Sequence, residues 1–135
     1  MKKRMMLVLT VVAALCLTAC GGRVKNVRIT ERSSEIYTAS DIDDAINVTL
    51  DYFKKEFSGC TLTEIAYIGD EKMENYWEYA QRGGAEDVIV LISSFDVDAS
   101  GGDGSLNPNS TYVNWSWILI RDAGGEWRHL DHGYG

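Results

Sequence analysis

One segment limits the architectures open to this chain more than any other: the run from Ser40 to Gly59. Ile42, Ile46, Leu50, Phe53 and Phe57 recur three and four residues apart, with Ala45 beside them and charged residues between. That period predicts one amphipathic helix over about 41–57. Ser40 suits the N-cap, with Asp43 three residues on as its capping-box partner. Asp41, Asp43 and Asp44 favour the helix N-terminus, Lys54 and Lys55 favour its last turn, and Gly59 suits the C′ position. A helix with a single apolar stripe cannot bury that stripe by itself, so the rest of the chain must supply a facing surface.

The rest of the chain supplies strands. Cys60 to Ile68 is rich in Thr, Ile and Tyr and reads as a strand ended by Gly69-Asp70. Glu71 to Arg82 reads as a second helix with Met73, Trp77 and Ala80 on one face, stopped by Gly83-Gly84. Asp87 to Val97 holds a continuous apolar run, the pattern of a strand covered on both faces. Ala99 to Ser110 is turn chemistry throughout and contains the single proline, Pro108. Thr111 to Arg121 reads as the next strand, with Tyr112, Asn114, Ser116, Ile118 and Ile120 on one side and Val113, Trp115, Trp117 and Leu119 on the other. Asp122 to Gly125 forms a hairpin turn, and Glu126 to His132 returns as the final strand. Strands that follow helices in this way predict an α+β domain with a mostly antiparallel sheet.

The N-terminus is of another kind. Lys2, Lys3 and Arg4 precede an apolar stretch, Met5 to Leu17, too short to span a bilayer as a helix. This is the layout of a secretory signal peptide. Leu17-Thr-Ala-Cys20 resembles the lipobox of bacterial lipoproteins, which implies removal of residues 1–19 and a diacylglycerol on the Cys20 thiol. Two acyl chains anchor stably where one does not. The resemblance therefore implies a domain lipid-anchored at the extracytoplasmic face of a bacterial cell membrane. Residues 20–39 read as a lipidated tether, with Val24 to Ile29 able to add an edge strand, and residues 40–135 as a single domain.

Removing residues 1–19 leaves 116 of the 135 residues, enough for one core. It also removes three of the 13 basic residues and none of the 20 acidic ones. A mature chain so acidic is unsuited to nucleic acid and to anionic lipid headgroups. With Cys16 removed and Cys20 lipidated, Cys60 is left without a disulfide partner and reads as a small buried hydrophobe.

The element order resembles the cystatin-like and nuclear-transport-factor-2-like superfamily, in which a helix lies in a curved sheet. Phe95 to Asp98, Asn114 to Arg121 and Trp127 to Gly135 also resemble a family of short lipoproteins from Gram-positive bacteria, domain of unknown function 4829. The first resemblance implies a helix packed on a curved, mostly antiparallel sheet. The second implies location and no catalytic residues.

Three constellations carry possible chemistry. Asp96, Asp98 and Ser100, followed by Gly101, match the front of a calcium loop, and Asp103 adds a further oxygen. The remainder departs from that pattern, since Asn107 stands where a bidentate Glu belongs. Calcium is the one cofactor this loop suggests. His129 and Asp131 fall on one face of the last strand by alternation and form a candidate acid–base pair, with Tyr112 or Tyr67 as hydrogen-bond donors; His132 falls on the other face. Trp115, Trp117 and Tyr112 are candidates for a ligand surface, while Trp77 and one of Trp115 and Trp117 are expected in the core. The leading expectation is a non-enzymatic domain that binds a protein or a small molecule. The alternatives are a small-molecule enzyme with a pocket in the cone of the sheet and a calcium-dependent accessory module.

Overall fold

The computed structural model describes residues 21–134. Residues 1–19, expected to be a signal peptide, and the expected lipidation site Cys20 lie outside the described residues. The domain is α+β, built on one five-stranded mixed sheet. Its elements are β1 (Arg28–Thr30), α1 (Ala39–Glu56), β2 (Cys60–Tyr67), α2 (Asp70–Met73), α3 (Glu78–Arg82), β3 (Asp87–Val97), β4 (Ser110–Arg121) and β5 (Arg128–Tyr134). The strands lie in sequence order. β1 runs parallel to β2, and every other pair is antiparallel. Among the described residues no helix is long and apolar enough to cross a membrane.

α1 buries Ile42, Ala45, Ile46 and Phe53 of the predicted stripe, with Phe57 buried just past its end; Thr49 is buried in addition, and Leu50 is only half-buried. Its start differs from expectation. Thr38, not Ser40, is the N-cap: the Thr38 hydroxyl accepts from the Asp41 N–H, and the Asp41 carboxylate accepts from the Thr38 N–H. Either residue type can cap, and the helix begins at the one whose extended backbone is fixed by tertiary contacts just before it. Tyr37 supplies them. Its ring is buried edge-on against Tyr67 and Trp127, and its hydroxyl donates to the Val88 carbonyl. The helix start is then tied to the sheet by Arg121, which reaches Asp41 at 3.0 Å and Asp87 at 3.2 Å and lies over the Trp127 ring. At the other end Phe57 is the C-cap, and Gly59 sits two residues beyond it at φ 74° rather than at C′.

Residues 21–39, read as a tether, belong to the domain. The Gly22 N–H donates to the Lys54 carbonyl, Arg23 bridges to Thr61, and β1 joins β2. Ser34 and the Glu35 N–H both donate to Asp70. The second helix predicted over 71–82 is two short pieces, α2 and α3, separated by turns. Met73 and Ala80 are buried as expected, but Trp77 is 42 % exposed and is not core. The break rotates the intervening side chains out of the common face that a continuous helix would give them.

Three bulges shape the sheet. β2 carries an extra residue at Thr63, β4 at Val113–Asn114 and β5 at Leu130, each opposite a shorter step on its partner. A bulge bends its strand and switches the side-chain alternation beyond it. α1 covers one face, where Phe53 and Phe57 meet Phe95 and Trp117. The short helices cover part of the other face, with Gly83 against Ile120. β3 lies between these layers, which explains its continuous apolar run.

Candidate functional site

The middle of the helix-facing side is filled. Trp117, Phe53, Phe95, Leu91 and Leu119 are fully buried there, and the Trp117 Nε1–H donates to Ser93 Oγ at 2.8 Å. Open space begins toward the C-terminal end of α1. A cleft of about 350 Å³ lies between Tyr52 and Glu56 of α1 and its C-cap Phe57, Trp115 of β4, His132 of β5, and Asp103 and Leu106 of the loop after β3.

The β5 bulge places the histidine. Strict alternation would separate His129 from His132, but the extra residue at Leu130 turns both toward α1: His129 pairs across from Leu119 and His132 from Trp117. The two rings meet, His129 Nε2 to His132 Nδ1, at 3.0 Å. One nitrogen donates and the other accepts, so at least one imidazole is neutral at that link. Tyr52 stacks flat on His129, with centroids 3.9 Å apart and planes 9° apart. His132 lies over Trp115 and meets Phe57 edge-on. Burial, then the neighbouring His132, pushes His129 down to about 4 against a smaller opposing effect of Asp131. Burial also lowers His132. Both rings are therefore uncharged at neutral pH. Burial, then the Glu56 charge, raises the Tyr52 phenol.

Asp131 is not part of this group. It pairs across from Ile118 on the opposite face, and its carboxylate accepts from the His132 backbone N–H at 2.8 Å. The expected His129–Asp131 acid–base pair is thus divided by the sheet. Its expected donors are elsewhere: the Tyr67 hydroxyl donates to Asp70 at 2.7 Å, and the Tyr112 hydroxyl accepts from the Asn107 N–H at 3.1 Å. Tyr112 itself changes sides. The β4 bulge, with Asn114 at φ 56°, brings it to the same face as Trp115, where it stacks on Phe95 at 5.2 Å. Trp115 and Trp117 are both buried. Trp115 lines the cleft by its ring, and its Nε1 has no hydrogen-bond partner among the described residues. The rings of Phe57, Phe95, Tyr112 and Tyr134 meet it at steep angles, and aromatic faces are weak acceptors for an N–H.

Chain comparisons with family models, curated proteins and solved structures find no match.

The acidic loop is organised locally. Asp96 accepts from the Thr111 hydroxyl, Asp98 from the Ser100 N–H and hydroxyl, and Asp103 from the Ser105 N–H and hydroxyl. Those Ser100 and Ser105 bonds lower the Asp98 and Asp103 carboxyls. Asp98 and Asp103 each close their own turn, while Asp96 pairs across the sheet to Thr111 of β4. Among the described residues no three His, Cys, Asp or Glu side chains gather as a metal-binding group. Cys60 is buried at the inner edge of the cleft, and burial pushes its thiol up to about 11, so it is protonated at neutral pH. Tyr52, Glu56 and His132 escaped notice as a group. Tyr52 and Glu56 are one helical turn apart, on the flank of the predicted stripe, and that spacing was the available signal.

Proposed function

We propose that this chain is a lipid-anchored extracytoplasmic protein, held at a bacterial membrane through Cys20, whose domain binds a ligand rather than transforming one. The cleft beside Tyr52, Trp115 and His132 is its ligand seat. The observation that carries the binding half is the composition of the cleft: the rings of Tyr52, Phe57, Trp115 and His132 line it beside serines, glycine and two carboxylates, while the carboxylate expected to act with His129 lies across the sheet. Concave sites lined by aromatic groups with a few polar ones suit small ligands. A second reading, a small-molecule enzyme, draws on the 3.0 Å His129–His132 contact. It requires the pair to exchange a proton with substrate, so His132→Gln would abolish turnover and leave binding in place.

The anchoring half rests on the order of cationic, apolar and lipobox segments before Cys20. Its test is Cys20→Ser expressed in a bacterial host. Wild type is expected in the membrane fraction and the variant in the soluble extracytoplasmic fraction; equal partitioning of the two would sink the assignment. As the finer fold class we propose the cystatin-like and nuclear-transport-factor-2-like arrangement, supported by a helix laid across a bulged sheet. Kinship with the short Gram-positive lipoproteins rests on the Phe95 to Asp98, Asn114 to Arg121 and Trp127 to Gly135 motifs.

A further inference from the structure

The cleft has a definite electrostatic character. Its walls present the rings of Tyr52, Phe57, Trp115 and His132, whereas its charged lining residues are Glu56 and Asp103, both exposed carboxylates. Among the described residues no lysine or arginine lines it. α1 ends at this point, with Phe57 as its C-cap. The C-terminus of a helix of this length carries the negative end of the backbone dipole, which favours cations within the last turn. His132 is held neutral by burial, so it adds a ring face and no repelling charge at pH 7. Aromatic faces attract cations through their quadrupole, most strongly where water is partly excluded. Rings, carboxylates and helix end all act in the same direction. An anionic or phosphorylated ligand would find no counter-charge among these groups.

We infer that the cleft between Tyr52, Glu56, Phe57, Trp115 and His132 binds a small organic ammonium cation with no phosphate attached. This rests on the reading of the cleft as a ligand seat and names the chemistry of its ligand. The ammonium head lies against the rings, and Glu56 and Asp103 neutralise it from the rim.

The test uses three probes of similar size at pH 7.5, followed by calorimetry and tryptophan fluorescence. Choline carries the charge, 3,3-dimethylbutan-1-ol replaces its nitrogen by carbon, and phosphocholine adds a phosphate. Choline is expected to bind about tenfold more tightly than either. Glu56→Gln, an exposed change at the helix end, is expected to weaken choline about threefold and leave the neutral alcohol unchanged. Equal binding of choline and the alcohol overturns the ammonium inference and leaves the ligand seat standing. Phosphocholine binding as tightly as choline overturns the phosphate-free class. Failure of all three probes to bind at millimolar concentration overturns the inference and the ligand seat together.

Discussion

Asn114 carries more structural consequence than its side chain suggests. It holds φ 56° at the β4 bulge, a left-handed conformation that costs an ordinary L-residue about 1 kcal/mol and that Asn tolerates better than most. Because of it, Tyr112 and Trp115 share a face and join the aromatic core. Asn114→Ala should therefore lower stability by about 1 kcal/mol, and Asn114→Gly should cost little or nothing, as read from urea denaturation midpoints. Equal loss from both substitutions would mean that the Asn114 side chain matters and its backbone does not. Leu130 plays the matching part in β5, since the residue it adds turns His129 and His132 to one side. Neither bulge was legible in the sequence. Asn114 sits inside a clean alternation of apolar and polar residues, and alternation by itself assigns Tyr112 to the wrong face.

At the scale of elements, the start of α1 separates local propensity from tertiary control. The segment Thr38-Ala-Ser-Asp41 offers two hydroxyl residues, and both have an Asp three positions later. Thr38 is the one that closes the capping box. Thr38→Ala should destabilise the domain by about 1 kcal/mol, whereas Ser40→Ala, inside the first turn, should fall within a few tenths. Thermal unfolding of the two variants side by side decides it, and a larger cost at Ser40 would move the cap back to the position the spacing predicts. The rest of α1 was legible because its buried stripe repeats for more than three turns. The stretch 71–82 was not, since a periodic trio of Met73, Trp77 and Ala80 over so few residues cannot distinguish one helix from two short turns joined by a bend. β3 was legible to the residue because both of its faces are covered, so the run Val88 to Phe95 needed apolar or small side chains, with Asp87 and Asp96 near its ends.

For the molecule as a whole, the buried histidines make stability depend on acidity. His129 titrates near 6.5 when unfolded and near 4 when folded. Above pH 6.5 it is neutral in both states and costs nothing. Below that, the unfolded chain takes the proton first, and stability falls until the folded ring is protonated near pH 4. The lowered His132 acts in the same direction. Allowing for partial exposure, the loss between pH 7.5 and 5 should be on the order of 1 kcal/mol. The carboxyls lowered by hydrogen bonds, Asp41 by Arg121 and Asp70 by Ser34, lose their contribution only at lower pH, below the ordinary Asp range. Urea denaturation across that interval should show a flatter slope for His129→Gln than for wild type. Parallel slopes would mean that His129 is not buried as the Tyr52 stack requires.

The amino-acid order alone determined what is local and repetitive. It carried the main helix and its apolar stripe, the doubly covered strand, the last hairpin and the α+β class, because periods of 3.6 and 2 are written in consecutive residues. It also carried the expectation of an anchor at Cys20. The tertiary structure decided which face each residue occupies beyond a bulge, since a bulge depends on the register of the neighbouring strand and not on its own residues. That choice separated Asp131 from His129 and joined His129 to His132. It also drew Tyr52 and Glu56, some 80 residues earlier in the chain, to the cleft beside His132.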